Sequence, residues 1–180
     1  MLSAIFYLYC FFLLIILAYN MLQLNLLFHY LRKPKADPPP PLDEAQLPYV
    51  TIQLPLFNEP YVTGRLIDNI ARMQYPRDRL EIQILDDSTD ETTAICEKKA
   101  LAYRASGLDM TVLHRTDRSG FKAGALAEGL KQAKGDFIAV FDADFLPDPQ
   151  FLRKTVPYFQ NLKVGVVQTS WGHLNDDYSL

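Results

Sequence analysis

Two aspartates that follow an apolar stretch are the strongest candidates for chemistry in this sequence. Asp142 and Asp144 end the run FIAVFDAD, residues 137–144. Side chains two positions apart in an extended chain leave the same face, so the two carboxylates should lie together. A hard divalent cation would relieve their repulsion and keep positions open for phosphate oxygens. The pair predicts a metal-diphosphate site, although phosphatases and nucleotidyltransferases also use it, and an acidic turn before a helix capped by Asp148 is the structural alternative.

A second acidic pair, Asp86 and Asp87, follows the apolar run LEIQIL in the same way. A carboxylate there can accept a hydrogen bond from a base N–H or a ribose hydroxyl. The acids up to Asp90 can equally serve as the cap and first-turn charges of the next helix, and both interpretations stay open. Asn58 and Glu59 follow the first predicted strand and are further candidates for the same edge of a sheet.

Lys122 is the basic candidate, in the segment RSGFKAGAL at residues 118–126. Free N–H groups at a helix start and one ammonium favour an anionic phosphate. The spacing does not match a P-loop, and a solvated lysine is the alternative. No two of the three histidines have the spacing of a metal site.

The elements that would position these side chains alternate between strand and helix. Strands are predicted at residues 49–54, 80–85, 110–113, 137–141 and 164–168, and helices at 61–73, 89–105, 123–132 and 149–159. Strict alternation implies an α/β fold with a mainly parallel sheet and helices on both faces. Ligands of such sheets bind beyond the carboxyl ends of the strands, which is where the polar candidates fall.

The first part of the chain has a different character, because no charged residue precedes Arg32. We expect residues 1–31 to form one transmembrane helix, since roughly 20 apolar residues cross a bilayer core. A signal peptide is less compatible, because a basic start and a small-residue cleavage site are missing. Arg32, Lys33 and Lys35 predict a cytosolic soluble part. Residues 32–48, with prolines from Pro38 to Pro41, predict an extended juxtamembrane linker.

Composition narrows the function classes further. The net charge of −3 at pH 7 argues against a nucleic-acid partner, because phosphate binding needs a basic face. Cys10 lies in the apolar run and Cys96 in a polar helical pattern, so a disulfide between them is not expected and a reduced compartment fits.

Four ordered motifs together resemble the family 2 glycosyltransferases, most of all their processive, membrane-embedded cellulose-synthase-like and glucomannan-synthase-like branch. They are LPLFNE at 54–59, LDDSTD at 85–90, GFKAGAL at 120–126 and FDAD at 141–144. The resemblance implies a GT-A fold, Rossmann-like, over residues 49–180. It also implies inverting transfer of a hexose from a UDP- or GDP-sugar to a polysaccharide or lipid acceptor, with Mg²⁺ or Mn²⁺. The membrane would be a bacterial inner membrane, or a Golgi or plasma membrane.

The resemblance also implies roles for individual residues. Asp142 and Asp144 match the metal motif, and Trp171 and His173 lie in a segment similar to the one that leads to the acceptor. The nucleotide-sugar-binding positions are Asn58, Glu59, Asp86, Asp87, Lys122 and Asp142.

Two motifs of the family, the acidic general base and Q-x-x-R-W, do not occur in the sequence. We therefore expect the base beyond Leu180, and this chain to carry the donor half of a truncated domain. A non-catalytic nucleotide-sugar-binding or scaffold subunit is the alternative. A sugar nucleotidyltransferase fits less well, because a glycine-rich start is missing.

Overall fold

The computed structural model describes residues 2–32, 37–170 and 172, and these form two compact units that divide between Pro38 and Pro39. The first unit is helix α1, Leu2–Arg32. Its 31 residues span about 46 Å, which exceeds the roughly 30 Å of a bilayer core. Large apolar side chains are exposed on all sides, from Ile5 to Leu31. By length and composition this helix can cross a membrane.

Asn20 is a polar interruption in the apolar surface of α1. Its side-chain amide donates a hydrogen bond to the carbonyl oxygen of Ile16, 2.8 Å away and one turn earlier. The helix itself therefore satisfies one amide hydrogen of this residue.

The second unit is built on a sheet of four parallel strands in the order β3-β2-β1-β4. The strands are β1 Val50–Leu56, β2 Leu80–Asp86, β3 Asp109–His114 and β4 Phe137–Val140. The helices are α2 Pro60–Ile70, α3 Thr92–Ala105, α4 Phe121–Leu130 and α5 Phe151–Thr155, with 3₁₀ turns at Glu44–Gln46, Arg77–Arg79 and Val156–Gln160. The predicted parallel α/β sheet is confirmed.

One face of the sheet is apolar and carries the main core. Even-numbered side chains of β1 and β2, such as Ile52 and Ile84, are fully buried together with Leu66 of α2 and Cys96 of α3. Fully burying one such side chain stabilises the fold by about 1.5–3 kcal/mol. The two helices are joined at the surface by Asp68, which accepts hydrogen bonds from Lys99 and Tyr103.

The opposite face of β1 and β2 is polar, although helix α4 covers it. Two pairs of register partners form hydrogen bonds there. The hydroxyl of Thr51 donates to Glu81 Oε2 at 2.7 Å, and the amide of Gln53 donates to Gln83 Oε1 at 3.0 Å. All four side chains are buried, so the pairing satisfies groups that would otherwise be costly to remove from water.

Gly129 lets α4 approach this polar face closely. A Cβ at this position would lie 2.7 Å from Gln53 Nε2 and 2.9 Å from Gln83 Oε1. We expect Gly129→Ala to lower the free energy of unfolding by about 1–3 kcal/mol, because overpacking outweighs the better helix propensity of alanine. Urea unfolding of the full chain in mild detergent, followed by circular dichroism, measures the change.

Gly64 of α2 provides the matched control. A Cβ there would meet only Lys99 Cε at 3.8 Å and Ile95 Cγ2 at 3.9 Å, which are ordinary contacts. We expect Gly64→Ala to stabilise the protein by about 0.5–1 kcal/mol. Equal effects of the two substitutions would contradict the close approach of α4.

Two expectations for the end of the chain were wrong. Residues 164–168 form no strand and Val166 is 83% exposed, so this apolar run pairs with no strand among the described residues. The predicted helix 149–159 begins at Phe151 and becomes a 3₁₀ turn at Val156, because Pro157 cannot donate a helical hydrogen bond. Asp148 instead closes a turn by accepting from the backbone N–H of Gln150 at 2.7 Å.

The last residues of the predicted linker 32–48 belong to the second unit. Leu47 is 3% exposed and belongs to the core of the second unit. Arg79 donates hydrogen bonds to the carbonyl oxygens of Glu44 and Ala45, at 3.1 and 3.0 Å, and Arg153 forms an ion pair with Glu44. The end of the predicted linker is therefore docked on the folded unit.

Candidate active site

A cavity of about 500 Å³ opens at the carboxyl end of the sheet, where the topology predicts a ligand site. Five of the predicted site residues line it: Glu59, Asp87, Lys122, Asp142 and Asp144. The other lining residues are Pro55, Leu56, Phe57, Arg118, Ala125 and Ala143. Two further predicted residues, Asn58 and Asp86, lie at the ends of β1 and β2 but do not line the cavity.

Asp142 and Asp144 reach the cavity by a turn, and not by the extended chain that the sequence suggested. Phe141 extends the ladder one residue beyond β4, since its N–H donates to the carbonyl oxygen of Gln53 at 3.2 Å. The N–H of Phe145 then donates to the carbonyl oxygen of Asp142 at 3.1 Å and closes the turn. The turn still directs both carboxylates into one cavity.

The strand before this pair is also less buried than its apolar sequence implied. Ile138 and Val140 are 36% and 44% exposed, because β4 is an outer strand of the described sheet. Their side chains share the face that α4 covers at β1 and β2.

Lys122 lies in the first turn of α4 and forms an ion pair with Asp142 across the cavity. Both side chains are about half exposed, at 52% and 44%. Gly124 allows this arrangement, since a Cβ there would lie 2.0 Å from the carbonyl oxygen of Ser119. The loop before α4 is therefore folded back onto the helix and brings Lys122 to the acidic pair.

Asp87 is held by a two-point ion pair with Arg115. Nε and one terminal nitrogen of the guanidinium donate to the two carboxylate oxygens at 2.8 and 2.6 Å. The same guanidinium also donates to the carbonyl oxygens of Ser119 and Phe121 at 3.3 and 3.1 Å. Arg115 thus connects the end of β2 to the loop that precedes α4.

Asp86 is fully buried, with its carboxylate surrounded by donors. It accepts from the Thr93 hydroxyl at 2.6 Å and the Ser88 N–H at 3.0 Å, and His114 Nδ1 lies 2.8 Å away. Burial opposes ionisation of the carboxyl, but the hydrogen bonds from Thr93, Ser88 and His114 outweigh it and hold the pKa of Asp86 below its usual value. This carboxylate organises the loops beside the cavity.

Asn58 joins the loops that follow β1 and β2. Its backbone is left-handed, with φ of 53°, a conformation that asparagine tolerates well. Its N–H donates to Ser88 Oγ at 2.9 Å, and its Oδ1 accepts from the Thr89 N–H at the same distance. Glu59 next to it lines the cavity.

The charges in the cavity suit a divalent cation together with a diphosphate. Four carboxylates, on Glu59, Asp87, Asp142 and Asp144, face two cationic side chains, Arg118 and Lys122. Among the described residues no three His, Cys, Asp or Glu side chains form a metal cluster. Two adjacent carboxylates with open sides remain, which is the donor set for a hard cation that shares its other positions with phosphate oxygens.

Sequence reasoning missed Phe57, His114, Arg115 and Arg118. His114 ends β3 and the two arginines follow it, and the rule that ligands bind at the carboxyl ends of parallel strands could have singled them out. Trp171 and His173, predicted on the acceptor side, lie outside the described residues, as do Lys33 and Lys35.

Comparison with known families and curated proteins gives one consistent result. A family profile described as glycosyl transferase family 2 matches residues 51–179. Glucomannan 4-beta-mannosyltransferase 1 from Oryza sativa subsp. japonica is 40% identical over 156 residues, which is 82% of this chain and 29% of the rice protein. Glucomannan 4-beta-mannosyltransferase 9 from Arabidopsis thaliana is 40% identical over 77% of this chain and 27% of its own length. The chain thus spans less than a third of these relatives.

Solved structures support the fold. The mannosyltransferase PcManGT from Pyrobaculum calidifontis, in complex with GDP-Man and Mn²⁺, is 32% identical with a TM-score of 0.67. The similarity covers 84% of this chain and 44% of that one. The expected GT-A type of α/β fold is confirmed.

Proposed function

This chain belongs to glycosyl transferase family 2, and on that premise we propose that it forms the donor-binding part of a hexosyltransferase. The donor is a nucleoside diphosphate sugar and the acceptor a glycan or a lipid. The observation that carries the proposal is the meeting of Lys122, Asp142 and Asp144 in one cavity at the carboxyl end of the sheet.

The nucleoside is assigned to the part of the cavity that Glu59 and Asp87 line. Each oxygen of the Asp87 carboxylate accepts one hydrogen bond from Arg115 and keeps a lone pair for a ribose hydroxyl or a base N–H. Asn58 and Asp86 then act as positioning residues, because their hydrogen bonds hold the loops after β1 and β2 and neither side chain lines the cavity.

The diphosphate is assigned to the part of the cavity near Lys122. A diphosphate offers this ammonium several anionic oxygens in place of the single carboxylate of Asp142. Lys122 then stabilises the charge that develops on the leaving diphosphate. Asp142 and Asp144 would hold a Mg²⁺ or Mn²⁺ ion, which supplies further positive charge to that diphosphate.

Transfer by a single displacement inverts the anomeric centre. The acceptor hydroxyl oxygen forms a bond to the anomeric carbon, and the bond from that carbon to the diphosphate oxygen breaks, with its electron pair leaving on the diphosphate. The hydroxyl proton passes to a general base. We assign that role to none of residues 37–170.

The identity of the relatives favours mannose as the sugar. The plant relatives carry the name glucomannan mannosyltransferase, and PcManGT was solved with GDP-Man. We therefore propose GDP-mannose as the donor and a glucan or mannan chain as the acceptor. Helix α1 would anchor the chain in a membrane, and the basic residues after it would keep the second unit in the cytosol.

Calorimetric titration of the full chain in detergent tests this proposal. GDP-mannose and UDP-glucose are each titrated with and without Mn²⁺. We expect Mn²⁺-dependent binding, tighter for GDP-mannose. Binding that ignores the metal, or no binding of either sugar nucleotide, would contradict the proposal, whereas metal-dependent binding without transfer would favour a nucleotide-sugar-binding subunit.

A further inference from the structure

Arg118 is a cationic side chain of the cavity to which no role has yet been given. Its guanidinium carbon lies 3.3 Å from the ring centroid of Phe57 and 5.2 Å from that of Phe121. Within residues 37–170 it forms no ion pair, whereas Lys122 is paired with Asp142 and Arg115 with Asp87. No carboxylate of these residues is therefore in direct contact with its guanidinium.

One nitrogen of this guanidinium is buried and lacks a hydrogen-bond acceptor. Nε of Arg118 has no partner among the described residues, and an unpaired buried donor is unfavourable for the folded protein. The ring of Phe57 covers one face of the planar group. Because Nε is buried, the terminal nitrogens of the guanidinium are the donors that a ligand in the cavity can use.

The backbone of the loop before α4, which carries Arg118, is held in place by Arg115. Arg115 donates to the carbonyl oxygens of Ser119 and Phe121, on either side of the turn. Phe121 has a left-handed backbone, with φ of 50°, which is strained for a bulky residue. The loop backbone is thus fixed and the rings of Phe57 and Phe121 contact the guanidinium of Arg118 before any ligand binds, so little side-chain entropy is lost on binding.

We infer that Arg118 binds the diphosphate of a nucleoside diphosphate through the N–H edge of its guanidinium. This inference rests on the proposed function and extends it. The planar fork of donors matches phosphate oxygens, and a cation that the protein leaves unpaired favours an anionic group over a sugar hydroxyl. Arg118 and Lys122 both line the cavity and would contact the diphosphate from two positions of the same loop and helix.

The test compares ligands that differ only in phosphate. Guanosine, GMP and GDP are titrated into the full chain in detergent in the presence of Mn²⁺. The affinity for guanosine is measured by its displacement of GDP-mannose. We expect Arg118→Gln to lower the affinity for GDP by about 10- to 100-fold and the affinity for guanosine by less than about twofold. Arg118→Lys keeps the positive charge but loses the planar set of guanidinium donors. We expect it to lower the affinity for GDP by about three- to tenfold.

Arg65 provides the matched control, because it is an exposed arginine of α2 outside the cavity. Arg65→Ala should leave all three affinities unchanged. The thermal unfolding midpoint of each variant reports on folding, and Arg118→Lys carries the test if Arg118→Gln unfolds.

Two results would overturn the inference while leaving the proposed function intact. The first is an unchanged affinity of Arg118→Gln for GDP, and the second is an equal loss for guanosine and GDP, which would place Arg118 on the nucleoside. A wild-type chain that binds none of the three ligands would overturn the proposed function, and this inference with it.

Discussion

Replacement of Asp144 by asparagine is expected to reduce the Mn²⁺-dependent affinity for GDP-mannose by about 100-fold or more. Asp144 is exposed, lines the cavity and has no ion-pair partner among the described residues, so its charge is available to a cation. The amide keeps the shape of the side chain but removes one of the two anionic ligands that we propose for the metal. Affinity measured without the metal should change little.

Calorimetry with and without Mn²⁺ separates these two effects. Asp78→Asn is the matched control, because Asp78 is an exposed carboxylate that does not line the cavity. Its variant should bind GDP-mannose as the wild type does. An Asp144→Asn variant with the wild-type response to Mn²⁺ would refute the assignment of this carboxylate to the metal.

The largest effect on stability is expected from Asp86→Ala, which should lower the free energy of unfolding by about 3–5 kcal/mol. The substitution removes a fully buried carboxylate that is the shared acceptor of the Thr93 hydroxyl, the Ser88 N–H and the His114 imidazole. Urea unfolding followed by circular dichroism measures the loss. Asp78→Ala, an exposed control, should change stability by less than about 0.5 kcal/mol.

The lowered pKa of Asp86 predicts how the stability of the protein depends on pH. Its pKa is lower in the folded protein than in the unfolded protein, where the pKa of an aspartate is about 3.9. Its contribution is therefore fully present above that pH and is lost as the pH falls through the folded pKa. Between about pH 5 and pH 3 the difference in stability between wild type and Asp86→Ala should shrink. A difference that stays constant over this range would contradict the hydrogen-bonded, ionised state of Asp86.

Much of the fold could be predicted because it follows from local periodicity. Four of the five predicted strands are present in a parallel sheet, and the cavity lies at the carboxyl ends of the strands, where the rule on parallel sheets predicts a ligand site. The fifth, residues 164–168, was wrong because apolar composition does not provide a neighbouring strand. Pairing is a long-range property that a run of five residues does not encode.

The acidic residues of the candidate site and Lys122 were predicted from the sequence, whereas Arg115 and Arg118 were missed. Asp142 and Asp144 stand out because two carboxylates directly after an apolar strand have few structural explanations. Arg115 and Arg118 look like ordinary surface residues in the sequence, since only the folded loop shows the ion pair of the first and the aromatic contacts of the second. The roles of Asp86 and Asp87 likewise depend on burial, which the motif LDDSTD does not reveal.

The hydrogen bonds between Thr51 and Glu81 and between Gln53 and Gln83 help to fix the register in which β1 pairs with β2. A shift of β1 against β2 by one residue would place each of these polar side chains opposite an aliphatic residue. The polar groups would then be buried without hydrogen-bond partners. The two hydrogen-bonded pairs therefore disfavour a one-residue shift of β1 against β2. The relative position of the ends of β1 and β2, which lie beside the cavity, therefore depends in part on polar side chains inside the protein.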